Sequence, residues 1–392
     1  MSKKIVLAYS GGLDTSCAIR WLKNKGYDVI AFIADVGQGE NFEIVKTRAI
    51  KSGAIKVYVK DLKLEFIQDF IWPCLKASAV YEGQYLLSTA LSRPLIARHL
   101  VQIAKKEKAQ FVAHGCTGKG NDQVRFEVSI NILSPDLKII APLRIWEFKS
   151  REEEVDYAKS ENIPIDVTKK KVYSIDKNLW GVSIECGSLE NPWKEPPEDA
   201  YQWTNSVEEA PNQPSICEIE FKQGVPIAIN KKSLSPERMI NQINKIASRH
   251  GVGRVDMVEN RLIGIKSREI YEAPAATVLY YAHKELESLV FERQLLHFKE
   301  LISQKYAELV YYGLWFSDLK QALDAFVDAT QKNVSGIVRM KLYKGKAVCI
   351  GRRSPYSLYK ESLATYTSKD KFDHRLAEGF VRLWGQAHIK KF

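Results

Sequence analysis

Residues 8–16 read Ala-Tyr-Ser-Gly-Gly-Leu-Asp-Thr-Ser, directly after the apolar run Ile5-Val6-Leu7 and directly before an amphipathic stretch. A buried strand that turns on two glycines into a helix gathers free N–H groups at one spot, and the positive end of the helix dipole reinforces them. Gly11 and Gly12 carry no Cβ, so the turn can take unusual angles and a ligand can come close to the main chain. Ser10, Thr15 and Ser16 add hydroxyl donors, and Asp14 adds a carboxylate suited to a magnesium ion among phosphates. An ordinary strand-to-helix turn would also keep glycines for geometry, but it gives no reason for three hydroxyls and an Asp beside them. The turn is therefore predicted to hold a phosphate or pyrophosphate. It is neither a Walker A loop, which needs Gly-x4-Gly-Lys-Ser/Thr, nor the dinucleotide Gly-x-Gly-x-x-Gly.

A second loop, residues 114–127, reads His-Gly-Cys-Thr-Gly-Lys-Gly-Asn-Asp-Gln-Val-Arg-Phe-Glu. Three glycines within six residues again let the backbone fold round a ligand. The side chains suit an amino acid: Arg125 can fork onto a carboxylate, Asp122 can hold an ammonium, and Thr117 and Asn121 can bond the remaining oxygens. A capped helix start with Asp122 near the N-cap is the plainer reading, and it leaves Gly-x-x-Gly-x-Gly unexplained.

The elements that must position these loops follow from the pattern of the first ~165 residues, where strand and helix signals alternate as in a parallel sheet covered on both faces. Strands are predicted at 5–9, 29–34, 55–59, 111–114 and 139–142, with helices after the first loop, at 42–51 and at 91–106. Ligands of such sheets sit at the carboxyl ends of the strands. That rule gathers the Ser10 turn, the 35–39 loop and the 115–122 loop round one crevice. Beyond residue 165 the composition shifts. Residues 187–214 read as an ordered loop, 217–229 as a hairpin around Gln223-Gly224, 236–250 and 285–306 as helices, and 334–352 as a second hairpin around Lys344-Gly345. Residues 373–388 form an amphipathic helix with Leu376, Phe380, Leu383 and Trp384 on one face. That face packs either on its own chain or, as the terminal position favours, on another subunit.

At 392 residues, 45% hydrophobic and 27% charged, the chain has ample core for two domains. No apolar run reaches membrane-spanning length and the N-terminus is no signal peptide, so a cytoplasmic protein without a membrane partner is expected. Cys17, Cys74, Cys116, Cys186, Cys217 and Cys349 are dispersed, with no Cys-x-x-Cys or Cys/His spacing, which predicts reduced thiols and no resident Cys/His metal site. The net charge of +11 fits either a nucleic-acid surface or an anion-steering cleft. The basic residues are scattered, with only short runs such as Lys169-Lys170-Lys171 and Arg352-Arg353, and no nucleic-acid partner is expected.

Ser-Gly-Gly-x-Asp-Ser/Thr resembles the pyrophosphate loop of the ATP pyrophosphatase (PP-loop) superfamily, which cleaves ATP between the α- and β-phosphates and adenylates a co-substrate oxygen. Joined to Gly-Cys-Thr-Gly-Lys-Gly-Asn-Asp-Gln-Val-Arg-Phe-Glu, the pattern is similar to the argininosuccinate synthase family. Further matches lie at Tyr85-Leu86-Leu87, Arg93-Pro94, Tyr173-Ser174, Asp256-Met257-Val258-Glu259-Asn260-Arg261, Gly264-Ile265-Lys266-Ser267-Arg268 and Tyr271-Glu272. The resemblance implies an α/β chain: an adenine nucleotide α-hydrolase-like parallel-sheet domain (1–165), an α+β synthetase and multimerisation domain (166–370) and a C-terminal oligomerisation helix (371–392), assembled as a homotetramer.

It also implies site residues. ATP, with Mg²⁺, would be held by Ala8, Tyr9, Ser10, Gly11, Gly12, Leu13, Asp14, Thr15 and Ser16, with Ala34 against the adenine and Gly115 near the nucleotide. Aspartate would meet Thr117, Asn121 and Asp122. Citrulline would meet Tyr85, Asn121, Arg125, Ser174, Ser183, Glu259 and Tyr271, and catalytic roles would fall to Ser10, Asp14 and Asp122. Where some relatives carry a serine in the citrulline site this chain has Ala90, so any contact there needs the backbone or Thr89. On residue type alone, Glu259 in a turn is a solvated glutamate and Tyr271 a packing residue. The implied reaction is a two-step ligation of L-citrulline and L-aspartate through citrullyl-AMP. A tRNA-modifying PP-loop enzyme, which would need a catalytic cysteine pair and an RNA-binding appendage, is the rival reading. A non-enzymatic RNA-binding or scaffold protein is the third.

Overall fold

The computed structural model describes residues 3–164 and 172–389. The Lys169-Lys170-Lys171 run and the expected junction at 165/166 lie outside the described residues.

β1 (Lys3–Ala8) is buried on both faces at Ile5, Val6 and Leu7, as a central strand of a parallel sheet requires. After it come α1 (Leu13–Asn24), β2 (Tyr27–Asp35), α2 (Phe42–Ser52) and β3 (Lys56–Asp61). A helical stretch then runs through α3 (Lys63–Phe66), a π-helical segment at Ile67–Ile71 and α4 (Trp72–Ala77). Pro73, which has no N–H to donate, sits just past the π segment and accounts for the widened turn. α5 (Ser88–Glu107), β4 (Phe111–Ala113), α6 (Asp122–Leu133), β5 (Lys138–Ile140), α7 (Pro142–Ile145) and α8 (Arg151–Ser160) complete this half. The sheet order is β3-β2-β1-β4-β5, parallel throughout, with Leu7 of β1 between Ala31 and Ala113. The order reverses between β1 and β4, so the crevice lies beyond their carboxyl ends, where both glycine loops emerge.

The second half holds β6 (Ser174–Asn178), β7 (Gly181–Glu185), β8 (Ser215–Lys222), β9 (Val225–Ile229), β10 (Lys232–Ser233), α9 (Pro236–Arg249), β11 (Arg254–Asn260) and β12 (Lys266–Glu272). α10 (Pro274–Val290), α11 (Arg293–Tyr311), α12 (Asp318–Thr330), β13 (Gly336–Tyr343), β14 (Lys346–Arg353), α13 (Glu361–Ala364) and α14 (Arg375–Gly385) follow. One antiparallel sheet runs β10-β9-β8-β13-β14, and another runs β11-β12-β7-β6. Both expected hairpins form, turning on Gln223-Gly224 and Lys344-Gly345 with positive φ at all four residues.

Two expectations need correction. The single helix at 285–306 is two helices, α10 and α11. Phe291 is extended between them, and the Glu292 carboxylate caps α11 by accepting from the N–H groups of Gln294 and Leu295. Helical spacing runs through the break, so only the cap reveals it. Glu259 lies on strand β11, not in a turn, and is buried. The four-stranded sheet went unread because β6 (Ser-Ile-Asp-Lys-Asn) and β12 (Lys-Ser-Arg-Glu-Ile-Tyr-Glu) lack apolar alternation. α14 buries none of its residues against the chain, with Leu376, Phe380, Leu383 and Trp384 all exposed.

Candidate active site

The turn after β1 is built to leave backbone donors free. Gly11 takes φ +81°, and a Cβ there would stand 2.8 Å from Val45 Cγ1 on α2, so glycine is required on both counts. Gly12 is the N-cap of α1 and supplies no side chain to the N–H groups of the first helical turn. Ser16 Oγ donates to the Gly12 carbonyl (2.8 Å) and meets the Tyr9 hydroxyl (2.8 Å), while Ser10 Oγ and Thr15 Oγ1 lie 3.1 Å apart. Tyr9 and Leu13 are buried, as are Thr15 and Ser16. Ala8, Tyr9 and Leu13 therefore shape the turn, while Ser10 and Gly12 are exposed and Asp14 is half-buried. Arg48 of α2, which sequence reasoning missed, donates to the Gly11 carbonyl and brings a guanidinium to the turn.

Beside Asp14 stands a second carboxyl, Glu154 on α8. Burial, followed by the charge of Asp14, pushes Glu154 up to about 8, with Arg151 pulling the other way. Two hard-oxygen donors beside a turn with main-chain N–H groups at a helix start fit a magnesium ion. Among the described residues no group of three or more His, Cys, Asp or Glu gathers as a metal cage.

The two glycine loops touch. A Cβ on Gly115 would come within 2.5 Å of Thr15 Cγ2, so the chain leaving β4 passes directly over the first turn of α1. Ala34 lies at the end of β2 in the same crevice, its carbonyl accepting from Gln38 Nε2 at 2.8 Å. Asn121 is the N-cap of α6 and Asp122 its first helical residue, as expected of a residue near the cap. Asp122 is gripped by two arginines: Arg93 of α5 donates Nε (2.9 Å) and NH2 (2.8 Å) to Oδ2, and Arg125 donates NH1 to Oδ1 (2.8 Å). Burial works to raise the Asp122 carboxyl, but the two guanidinium groups outweigh it and hold it below the usual range. Arg93 also pairs with Asp176 of β6. Thr117 is exposed on the loop.

The other wall is one face of the β11-β12-β7-β6 sheet. Register places Tyr271 opposite Ser183 and Ser183 opposite Asp176, with Ser174 opposite Glu185 one row along. Glu259 accepts from the hydroxyls of Tyr271 and Tyr311, both at 2.6 Å, and burial pushes its carboxyl up. Tyr311, at the end of α11, also accepts from Asn121 Nδ2 (2.7 Å); its carbonyl takes Arg125 Nε (2.9 Å), and the Arg125 guanidinium lies 4.7 Å from its ring centre. Tyr85 stacks on Tyr271 at 4.0 Å, and its hydroxyl accepts from the N–H groups of Thr89 and Ala90. Thr89 Oγ1 lies 2.6 Å from Ser183 Oγ. At the Ala90 position, then, the backbone N–H serves Tyr85 and the Thr89 hydroxyl serves Ser183.

The structure thus places the residues of the turn after β1, the 115–125 loop and Tyr85, Ser183, Glu259 and Tyr271 round one crevice, with Ser174 exposed at its edge. Sequence reasoning missed Arg48, Glu154, Asp176 and Tyr311. Only Tyr311 carried a local signal, an aromatic pair immediately before Gly313 at a helix end. A Cβ on that glycine would stand 2.7 Å from Arg125 Cα.

A family model described as the arginosuccinate synthase N-terminal HUP domain matches residues 4–164, and one described as the arginosuccinate synthase C-terminal domain matches residues 173–391. Relatives that carry the name argininosuccinate synthase match nearly the whole chain. That of Geobacillus thermodenitrificans is 60% identical over 382 residues, 97% of this chain and 94% of its own. That of Caldanaerobacter subterraneus subsp. tengcongensis is 57% identical over 384 residues, 98% and 94% of the two chains. That of Carboxydothermus hydrogenoformans is 57% identical over 386 residues, 98% and 96%.

Proposed function

The chain belongs to the argininosuccinate synthase family, and we propose that the crevice between the two glycine loops and the polar sheet face is its ligase site. The enzyme joins L-citrulline to L-aspartate using ATP. The citrulline ureido oxygen attacks the α-phosphorus of ATP, the bond to the β-phosphate oxygen breaks and pyrophosphate leaves. The aspartate amine then attacks the activated ureido carbon, the C–O bond to AMP breaks, and a proton leaves the nitrogen as argininosuccinate and AMP separate. A ureido oxygen is a weak nucleophile, so positioning and charge neutralisation supply most of the acceleration.

The roles follow from the contacts. The N–H groups at the start of α1, with Ser10 and the nearby Arg48, take the β- and γ-phosphates. Asp14, with Glu154 beside it, would hold Mg²⁺, which neutralises phosphate charge when bound. Ala34 and Gly115 flank the nucleoside. Arg125 takes the citrulline carboxylate, because Tyr311 and Asp122 occupy only part of its fork. Glu259 takes the citrulline ammonium, with Tyr85, Ser174, Ser183 and Tyr271 on the remaining polar atoms. Thr117, Asn121 and Asp122 take aspartate.

The observation that carries this reading is the contact of the two loops at Gly115 and Thr15, which sets an anion-binding turn against an amino-acid-binding loop. Burial pushes the thiols of Cys17, Cys74, Cys116 and Cys217 up, which leaves them poor nucleophiles and disfavours a tRNA-thiolating chemistry. No helix among the described residues is long and apolar enough to cross a membrane, and a cytoplasmic location without nucleic-acid partners fits this chemistry. The deciding experiment is exchange of labelled pyrophosphate into ATP. Exchange that requires citrulline but neither aspartate nor RNA supports the reading, and exchange that requires RNA overturns it.

The uncovered apolar face of α14 supports assembly as a homotetramer through this arm. Truncation before Asp373 is expected to lower the mass seen by light scattering; an unchanged mass would remove the arm from the account.

A further inference from the structure

Two residues past Glu259, the turn between β11 and β12 sends Arg261 back over the 115–122 loop. Its NH1 donates to the Lys119 carbonyl at 3.3 Å, at the loop's tip. Its NH2 donates to Glu269 Oε1 at 2.5 Å and pairs with Glu185 on the neighbouring strand. The next residue repeats the grip, since the Leu262 N–H donates to Asn121 Oδ1 at 3.0 Å. The Arg261 side chain is only 13% exposed and that of Glu269 only 6%.

Two carboxyl groups meet this one guanidinium, and burial followed by the charge of Glu185 pushes that of Glu269 up to about 8, so its part is to hold position rather than to add charge. The two groups approach from adjacent strands, β7 and β12, and so fix the plane of the fork. With that plane fixed, the remaining arm of the fork points at the loop. The loop needs such a restraint. Gly115, Gly118 and Gly120 give it large conformational freedom, which must be removed before a bound amine can be held on line. The ends of this segment are fastened separately: Cys116 N–H to His114 Nδ1 at the start, and Asn121, between Tyr311 and Leu262, at the finish. In the middle stand Gln123 Nε2 on the Gly118 carbonyl and Arg261 on the Lys119 carbonyl.

We propose that Arg261, clamped by Glu185 and Glu269, is a positioning residue for the second half of the reaction, holding the 118–121 tip so that the aspartate amine faces the activated ureido carbon. This rests on the reading above that the loop takes aspartate. Among the described residues no hydrogen bond or ion pair joins Arg261 to the turn after β1, so its loss is expected to weigh far more on the second step than on adenylation.

The test separates the half-reactions in R261K, where an ammonium replaces the guanidinium between the two glutamates but has no fork to span them and Lys119 together. Argininosuccinate formation is expected to fall on the order of a hundredfold, with the aspartate KM rising about tenfold. Citrulline-dependent pyrophosphate exchange is expected to change by less than about twofold. An equal loss in both half-reactions, or no loss in either, overturns the proposal. If R261K shows no cooperative melt, E185Q is read instead, because it keeps Arg261 and one carboxyl group. The same split at smaller size supports the proposal, and an even loss sinks it. Absence of citrulline-dependent exchange in the parent enzyme would fault the reading of the site rather than Arg261.

Discussion

Arg125→Gln is expected to lower kcat/KM for citrulline by roughly a thousandfold, about 4 kcal/mol, with most of the loss in KM. Arg125 is buried and held from three sides: Nε on the Tyr311 carbonyl, NH1 on Asp122, and its plane against the Tyr311 ring. A guanidinium fixed in this way needs no reorganisation to meet a carboxylate, and glutamine offers neither the charge nor the fork. The substitution also leaves Asp122 with Arg93 as its one remaining cation, and breaking a buried pair costs about 3–5 kcal/mol. The melting temperature is therefore expected to drop. Steady-state kinetics on the soluble variant, with a melt beside them, check both effects. A citrulline KM within a few-fold of the parent's would move the carboxylate site elsewhere.

The second large effect is Asp14→Ala, which is expected to abolish turnover while keeping the fold. Asp14 is half-buried at the first turn of α1 and contributes nothing apolar to the core. The sign of the change in ATP affinity is informative. A carboxylate that merely sits beside phosphates repels them, and its removal would tighten ATP. One that holds a cation between itself and the phosphates makes removal weaken ATP, which is the expected result. Stability should move the opposite way to activity. Glu154 is raised by burial and by Asp14, to about 8. Its contribution to stability is therefore complete below the ordinary carboxylate range and is lost as pH rises through about 8. Without Asp14 that loss shrinks, so the variant should melt above the parent at pH 8 and close to it near pH 4. Parent-like turnover would end the cation role of Asp14, and identical melts at pH 8 would end the coupling to Glu154.

The turn after β1 and the 115–125 loop were legible because their chemistry is local. Glycines, hydroxyls and charges sit within a few residues, and the strand before each loop is a plain apolar run. The parallel sheet followed from the same runs. The opposite wall was not legible from pattern, because a strand whose inner face serves polar ligands loses the apolar alternation that marks strands. Asp176, Ser183, Glu269 and Glu259 occupy inward positions that a purely structural sheet would give to Val or Ile. Glu259 and Tyr271 were reached through family resemblance, and their residue types alone pointed to solvent and to packing. Tyr311 and Arg48 join the site from helices remote in sequence, and tertiary packing alone brings them there. The α10–α11 break escaped notice because Glu292 serves helical spacing and N-capping equally well.

On the proposed reading, the turn after β1 holds the β,γ end of ATP and leaves the α-phosphorus open to citrulline. A crystal structure with a non-hydrolysable ATP analogue and citrulline tests it most directly. The terminal phosphates are expected on the N–H groups at the start of α1, with the ureido oxygen facing the α-phosphorus from the Arg125 side. Phosphates bound away from that turn, or a ureido group facing the γ-phosphorus, would contradict it.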